Sequence, residues 1–213
     1  MLSYTCKGNG VLRGRCNLGE NLLSDQQVRF LIAALESKYQ HNRNQAARKL
    51  AESQDPRAIP ALIACLIDPD RLPDFPADGD HGAISTAIPQ AVASFGREAS
   101  RQLAQHIKEP RVIYTLGLAG DDIAIKILME SYKSVGYGDR YAIVYALSLN
   151  WSNVVEDFLR TRLRIERFRD PFVADCIKSV LKENRAETMK VSILTVIANY
   201  LNRVLQRIRP NGN

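Results

Sequence analysis

The sequence predicts an all-α protein, a stack of about five degenerate antiparallel helix pairs preceded by one further helix. Three observations predict it. Apolar residues recur three and four positions apart along most of the chain after residue 24. Helix-start chemistry, above all Asp55-Pro56, divides these stretches into short segments. Strand signals are weak. The β-branched pairs Val112-Ile113 and Val154-Val155 fall within helical spacing, and the one Asp-Gly of interest, Asp78-Gly79, is flanked by helical patterns rather than alternating runs.

Residues 1–24 carry Gly8, Gly10, Gly14 and Gly19 with no sustained period and read as an irregular leader, so residues 25–213 are expected to form one helical domain. Asp25 is placed to cap a first helix whose apolar positions are Val28, Leu31, Ile32 and Leu35. A helix over 42–51 follows, with Ala46, Ala47 and Leu50 on one side, and Asp55-Pro56 starts its partner, which faces Ile59, Leu62, Ile63 and Leu66 inward. The arrangement recurs in the pairs 83–95 with 97–107, 111–118 with 121–134, 139–149 with 152–167, and 171–181 with 186–207. Leu62, Leu103, Leu128, Leu159 and Leu194 become the corresponding anchors of the second helices. Their separations of 41, 25, 31 and 35 residues bracket helical-repeat lengths without holding a fixed period. Pro89, within a helical run, predicts a kink.

Composition excludes several classes. Hydrophobic residues at 46% and charged residues at 24% are ordinary for a folded globular chain. The stretch from Val191 to Leu201 is interrupted by Ser192, Thr195 and Asn199 and is about half the length a membrane span needs, so it reads as a buried helix. Lys7, Arg13 and Arg15 precede no apolar run, which argues against a secretory leader and for a cytoplasmic protein. Cys65 and Cys176 lie inside helical patterns, Cys6 and Cys16 lie in the leader, no Cys-x-x-Cys occurs, and His41, His81 and His106 are scattered, so no metal is expected.

The segment Gln45-Ala46-Ala47-Arg48-Lys49-Leu50, then Asp55-Pro56-Arg57-Ala58-Ile59-Pro60-Ala61-Leu62-Ile63, then Leu66 and Asp68, resembles the HEAT-like repeat of the phycobilisome (bilin) lyase type. The resemblance implies a right-handed α-α superhelix, a HEAT-like solenoid. It recurs weakly from Ala91 to Leu103. Tyr137-Gly138-Asp139-Arg140-Tyr141-Ala142, with Ala146-Leu147, is similar to a helix start seen in bilin lyase subunits. That likeness implies a linear tetrapyrrole as ligand, with Asp139 facing pyrrole N–H donors, Arg140 a propionate, and Tyr141 beside them. The His-Cys pair of the isomerising members has no counterpart here.

Two constellations stand apart from the helical patterning. Residues 68–81 hold Asp68, Asp70, Asp74, Asp78 and Asp80 against the single base Arg71. The ordered ligand positions of an EF-hand loop are missing, so the segment reads as a solvated insertion, or as a partner-binding loop in which Asp74 and Asp78 flank an apolar tip at Phe75. Charge is the second. Residues 160–209 contain 12 Lys or Arg against 5 Asp or Glu, whereas residues 1–159 contain 17 against 18. Within the basic region Arg160, Arg164 and Arg167 share one helix face, flanked by Arg162 and Arg169, a row suited to phosphate, propionate or an acidic protein surface. Glu156, Asp157, Glu166 and Asp170 offer an alternative in which the row is a neutralised, solvated face.

No Gly-x-Ser-x-Gly turn, Gly-x-Gly-x-x-Gly or Gly-Lys-Ser/Thr is present, and Tyr137, Tyr141 and Tyr145 read as a packing stripe. The expectation is a non-catalytic protein-interaction scaffold or chaperone that binds another protein. The alternatives are a bilin lyase-type protein that handles a phycobiliprotein subunit, and a nucleic-acid-binding protein. For the last, the aromatic clamp of HEAT-like alkyl-purine glycosylases is not recognisable around Trp151.

Overall fold

Ser24, rather than Asp25, caps the first helix. The computed structural model describes residues 23–68 and 87–183, with Tyr137 described by its backbone alone. Helix α1 spans Asp25–Ala34, and at its start Ser24 and Gln27 exchange hydrogen bonds: the Gln27 N–H donates to Ser24 Oγ at 3.3 Å and the Ser24 N–H to Gln27 Oε1 at 2.8 Å. This reciprocal box satisfies two amide donors that the first turn leaves open. Asp25 therefore sits inside the first turn and is free to pair with Arg57.

Helix α2 runs Gln40–Ser53, two residues beyond the expected span at each end, and Gln54 ends it in the left-handed conformation at φ 52°. Asp55 then accepts the Arg57 N–H at 3.0 Å, a 3-10 turn covers Pro56–Ala58, and α3 follows at Ile59–Ile67. Proline at the first position costs no hydrogen bond there, because that amide has no partner within the helix. Ile59, Leu62, Ile63 and Leu66 are all buried, as the periodicity requires.

The remaining helices are α4 Ala87–Ser94, α5 Arg97–Leu103, α6 Pro110–Ala119, α7 Asp122–Ser131, α8 Tyr137–Ser148, α9 Asn153–Arg169 and α10 Pro171–Glu183, with a 3-10 turn at Ala104–His106. No strand occurs among the described residues. Pro89 is buried in α4, and residues 82–86 ahead of that helix lie outside the described residues, as do the leader up to residue 22, residues 69–81 of the acidic segment and the final expected helix with Leu194.

Helices α2, α4, α6, α8 and α10 pack each against the next and form one row. Helices α3, α5 and α7 form the second, with α5 bridging its neighbours, and α9 closes the described end by packing on α10 and α8. Paired helices in two rows are the all-α solenoid the sequence implied. The anchors Leu62, Leu103, Leu128 and Leu159 are each 1% exposed or less. They belong to one continuous apolar core that runs from Val28 to Leu181.

Close approach of the first row depends on small residues. A Cβ on Gly117 of α6 would lie 2.8 Å from Ala146 Cβ and 2.9 Å from Ala146 Cα of α8, so the two backbones meet without room for a side chain. Asn150 fixes the same junction by donating from Nδ2 to the Gly117 carbonyl at 2.5 Å. Gly120 ends α6 at φ 59°.

Candidate interaction surface

Helix α9 has one side packed on the core and one side open. Ser152 starts it by accepting the Val155 N–H at 3.3 Å, and its inward stripe runs Val155, Leu159, Arg162, Glu166, a 4, 3, 4 spacing that keeps one face toward the core. The first half of that stripe is apolar and the second half is charged. Glu166 is only 2% exposed.

The charged half meets the start of α8 and the end of α7. Arg140 Nη1 lies 3.7 Å from Glu166 Oε1, and the side chains are 12% and 2% exposed. The guanidinium carbons of Arg140 and Arg162 stand 5.8 Å and 5.4 Å from the Tyr132 ring centroid, and Arg162 also lies 5.0 Å from the Phe158 ring. Tyr132 and Phe158 meet edge to face at 5.6 Å. Two cations over aromatic faces gain quadrupole attraction that offsets part of their lost hydration. Burial, then the Glu166 charge, push the Tyr132 phenol well above its ordinary range, so it stays protonated. Arg162 Nε is buried with no hydrogen-bond partner among the described residues, and the faces of Tyr132 and Phe158 lie beside this guanidinium group.

The outward side of α9 is different. Arg160 is half-buried and donates to Glu156 through Nε at 2.9 Å, whereas Arg164 and Arg167 are exposed. Among the described residues neither of those two has an ion-pair partner. Beside them runs an apolar line: Val154 is 62%, Ile165 38% and Phe168 91% exposed. A large phenyl ring this open costs hydration free energy without a partner, on the order of 2 kcal/mol. Phe172 at the start of α10, 42% exposed, stacks instead on Tyr141 of α8 at 5.5 Å.

The structure places the other sequence-derived candidates as follows. Asp139 is half-buried at the first turn of α8. Burial raises its carboxyl group above the ordinary range, the Gly136 N–H opposes that rise, and Glu109 adds to it. Arg140 faces Glu166 and Tyr141 is 2% exposed, so the second and third members of the suggested bilin set turn into the protein. Asp74, Phe75 and Asp78 lie outside the described residues. Tyr145 stacks on Tyr114 at 6.4 Å and Trp151 packs against the core, as a packing role for these aromatics requires. Cys176 is pushed up to about 12 by burial, then by Glu183, and remains a thiol rather than a nucleophilic thiolate. No group of three metal-ligating side chains occurs among the described residues.

The arginine row is legible in the sequence, whereas the open Ile165 and Phe168 are not among the expected site residues, and Arg162 and Glu166, expected as a flanking base and a neutralising acid, face inward. A signal was present for both. Positions 162 and 166 continue the register of Val155 and Leu159, and 165 and 168 fall off it.

Comparison with known proteins agrees with this architecture. Residues 43–68, which are most of α2, the Asp55-Pro56 turn and α3, match the PBS lyase HEAT-like repeat. That segment is a HEAT-like repeat, and the all-α stack of helix pairs described around it is consistent with a HEAT-like solenoid. A search of curated proteins finds no match to it.

Proposed function

We propose that the chain is a cytoplasmic protein-interaction scaffold or adaptor. The outward side of α9 carries the reading, where Phe168 is 91% exposed beside Arg164 and Arg167. Repeat stacks bury surface between neighbouring units and leave a long outer face for partners. An apolar side chain kept open next to exposed guanidinium groups is the composition of a recognition patch, because aromatics and arginine supply most contact energy at protein interfaces.

The test is site-specific photo-crosslinking of the full chain in its own cells. A crosslinking residue replaces Phe168 on α9, Lys126 on α7 or Arg101 on α5, with Gln90 on α4 as the control in the other row. The scaffold reading expects a discrete protein adduct from at least one of the three positions 168, 126 and 101, and none from position 90. Absence of an adduct from all of them would refute it.

A second reading is favoured by the repeat match at residues 43–68: a bilin lyase-type protein that binds a linear tetrapyrrole through Asp139, Arg140 and Tyr141. Arg140 would have to exchange Glu166 for a propionate. Coexpression with a bilin-producing pathway separates the two. A purified chain with visible absorbance establishes the second reading, and a colourless one removes it.

A further inference from the structure

We infer that the occupant of the α9 surface is an acidic amphipathic helix of a partner protein, laid along α9 with its carboxylates on Arg164 and Arg167 and its apolar residues on Ile165 and Phe168; this rests on the scaffold reading. Spacing is the first argument. Arg160, Arg164 and Arg167 advance one turn at a time, so the row extends about 10 Å along the helix axis. Carboxylates at the same three- and four-residue intervals on an opposing helix meet it at matching rise. The apolar residues follow the arginines by one position, so one partner helix reaches both lines at once.

Charge complementarity is the second argument. Arg160 already has Glu156, while Arg164 and Arg167 have no carboxylate partner among the described residues. A guanidinium group presents a planar fork of donors that suits a carboxylate held in place, which makes arginine a positional reader rather than a diffuse charge. The surroundings disfavour the other anionic surfaces. The apolar line of Val154, Ile165 and Phe168 has no counterpart on a phosphate backbone, and three residues are too few to anchor a helix in a bilayer interface.

The probe is a synthetic helical peptide of about 20 residues. It carries Glu at positions i, i+4 and i+7 with Leu one residue after each, and its binding to the full chain is followed by fluorescence anisotropy. Controls are a scrambled peptide of the same composition, a Lys-for-Glu peptide, random duplex DNA, and vesicles rich in an anionic phospholipid. The inference expects the Glu peptide to bind at least about tenfold tighter than its scramble. It also expects Arg164→Glu/Arg167→Glu to lose about tenfold, the Lys peptide to recover that loss on the charge-reversed chain, and Phe168→Ser to weaken binding of the Glu peptide with the fold retained. Equal binding of the scramble, no recovery by the Lys peptide, or tighter binding to vesicles or duplex than to the Glu peptide would overturn it. So would self-association through this face, seen as a dimer that Phe168→Ser dissolves. An adduct from position 126 or 101 but not from 168 would overturn this inference and leave the scaffold reading standing. Loss of all adducts would remove both.

Discussion

Arg140 on α8 and Glu166 on α9 face each other at 3.7 Å, and both are withdrawn from solvent. Removing one partner of such a pair leaves the other charge buried, which costs more than the pair itself contributes. Glu166→Ala is expected to destabilise the chain by about 3 kcal/mol, and Glu166→Gln, which keeps volume and an acceptor, by less. Urea unfolding measures both. A loss below about 0.5 kcal/mol for the alanine variant would mean the cluster does not hold α9 to α8.

The α6–α8 contact makes a steric prediction. Because the atoms facing Gly117 are the backbone and Cβ of Ala146, no flexible side chain can give way. Gly117→Ala is expected to cost roughly 1–3 kcal/mol and Gly117→Val more, although alanine is the better helix former by about 1 kcal/mol. A stabilised Gly117→Ala variant would show that the two helices separate readily.

Acid stability depends on Asp55. Its carboxylate is buried and accepts from the Arg57 guanidinium at 2.6–3.0 Å and from the Arg57 N–H, and these bonds hold it below the ordinary carboxylate range. With the folded value depressed, the contribution is complete above the unfolded value, near 4, and is lost as pH falls through the folded value. Asparagine in place of the aspartate keeps a capping oxygen but not the ion pair. Asp55→Asn should therefore cost roughly 1 kcal/mol at neutral pH, a figure kept small because Arg57 is half exposed, and the gap to wild type should narrow below about pH 4. A gap that is constant from about pH 7 to pH 3 would contradict this assignment.

Leu62 tests the repeat core. It is fully buried in α3, inside the segment that matches the HEAT-like repeat. Leu62→Ala should cost roughly 2–5 kcal/mol through lost burial and the cavity left behind, read from chemical denaturation. A loss under about 0.5 kcal/mol would place the residue outside the core.

Much of this fold was legible because each helix pair carries its own signals. The Asp55-Pro56 turn, the Ala46 and Ala47 approach positions, and the Leu62, Leu103, Leu128 and Leu159 anchors are local patterns that the tertiary structure reuses. Helix starts were harder, since Ser24 and Asp25 are both good caps and only the reciprocal bond to Gln27 decides between them. The site was legible in part. A row of arginines at helical spacing identifies a face, but whether that face looks outward depends on which residues of α9 touch α8 and α10. Arg162 and Glu166 lie in the buried register and were masked by their polarity, while the exposure of Phe168 emerges only once the buried stripe is fixed. Arg140 carried the opposite lesson: its motif suggested a ligand, and its neighbours in space are Tyr132 and Glu166.

On the proposed reading α9 packs through one side and recognises a partner through the other, and the melting temperature of the Arg164→Glu/Arg167→Glu chain reads that division. Exposed substitutions away from caps and core change stability by about 0.5 kcal/mol or less, which for a chain of this size is a shift of roughly 1–2 °C. The variant's melting temperature is expected to stay within that range of wild type. A fall of more than about 5 °C would mean that the arginines pack between helices, and the recognition surface assigned to them would be withdrawn.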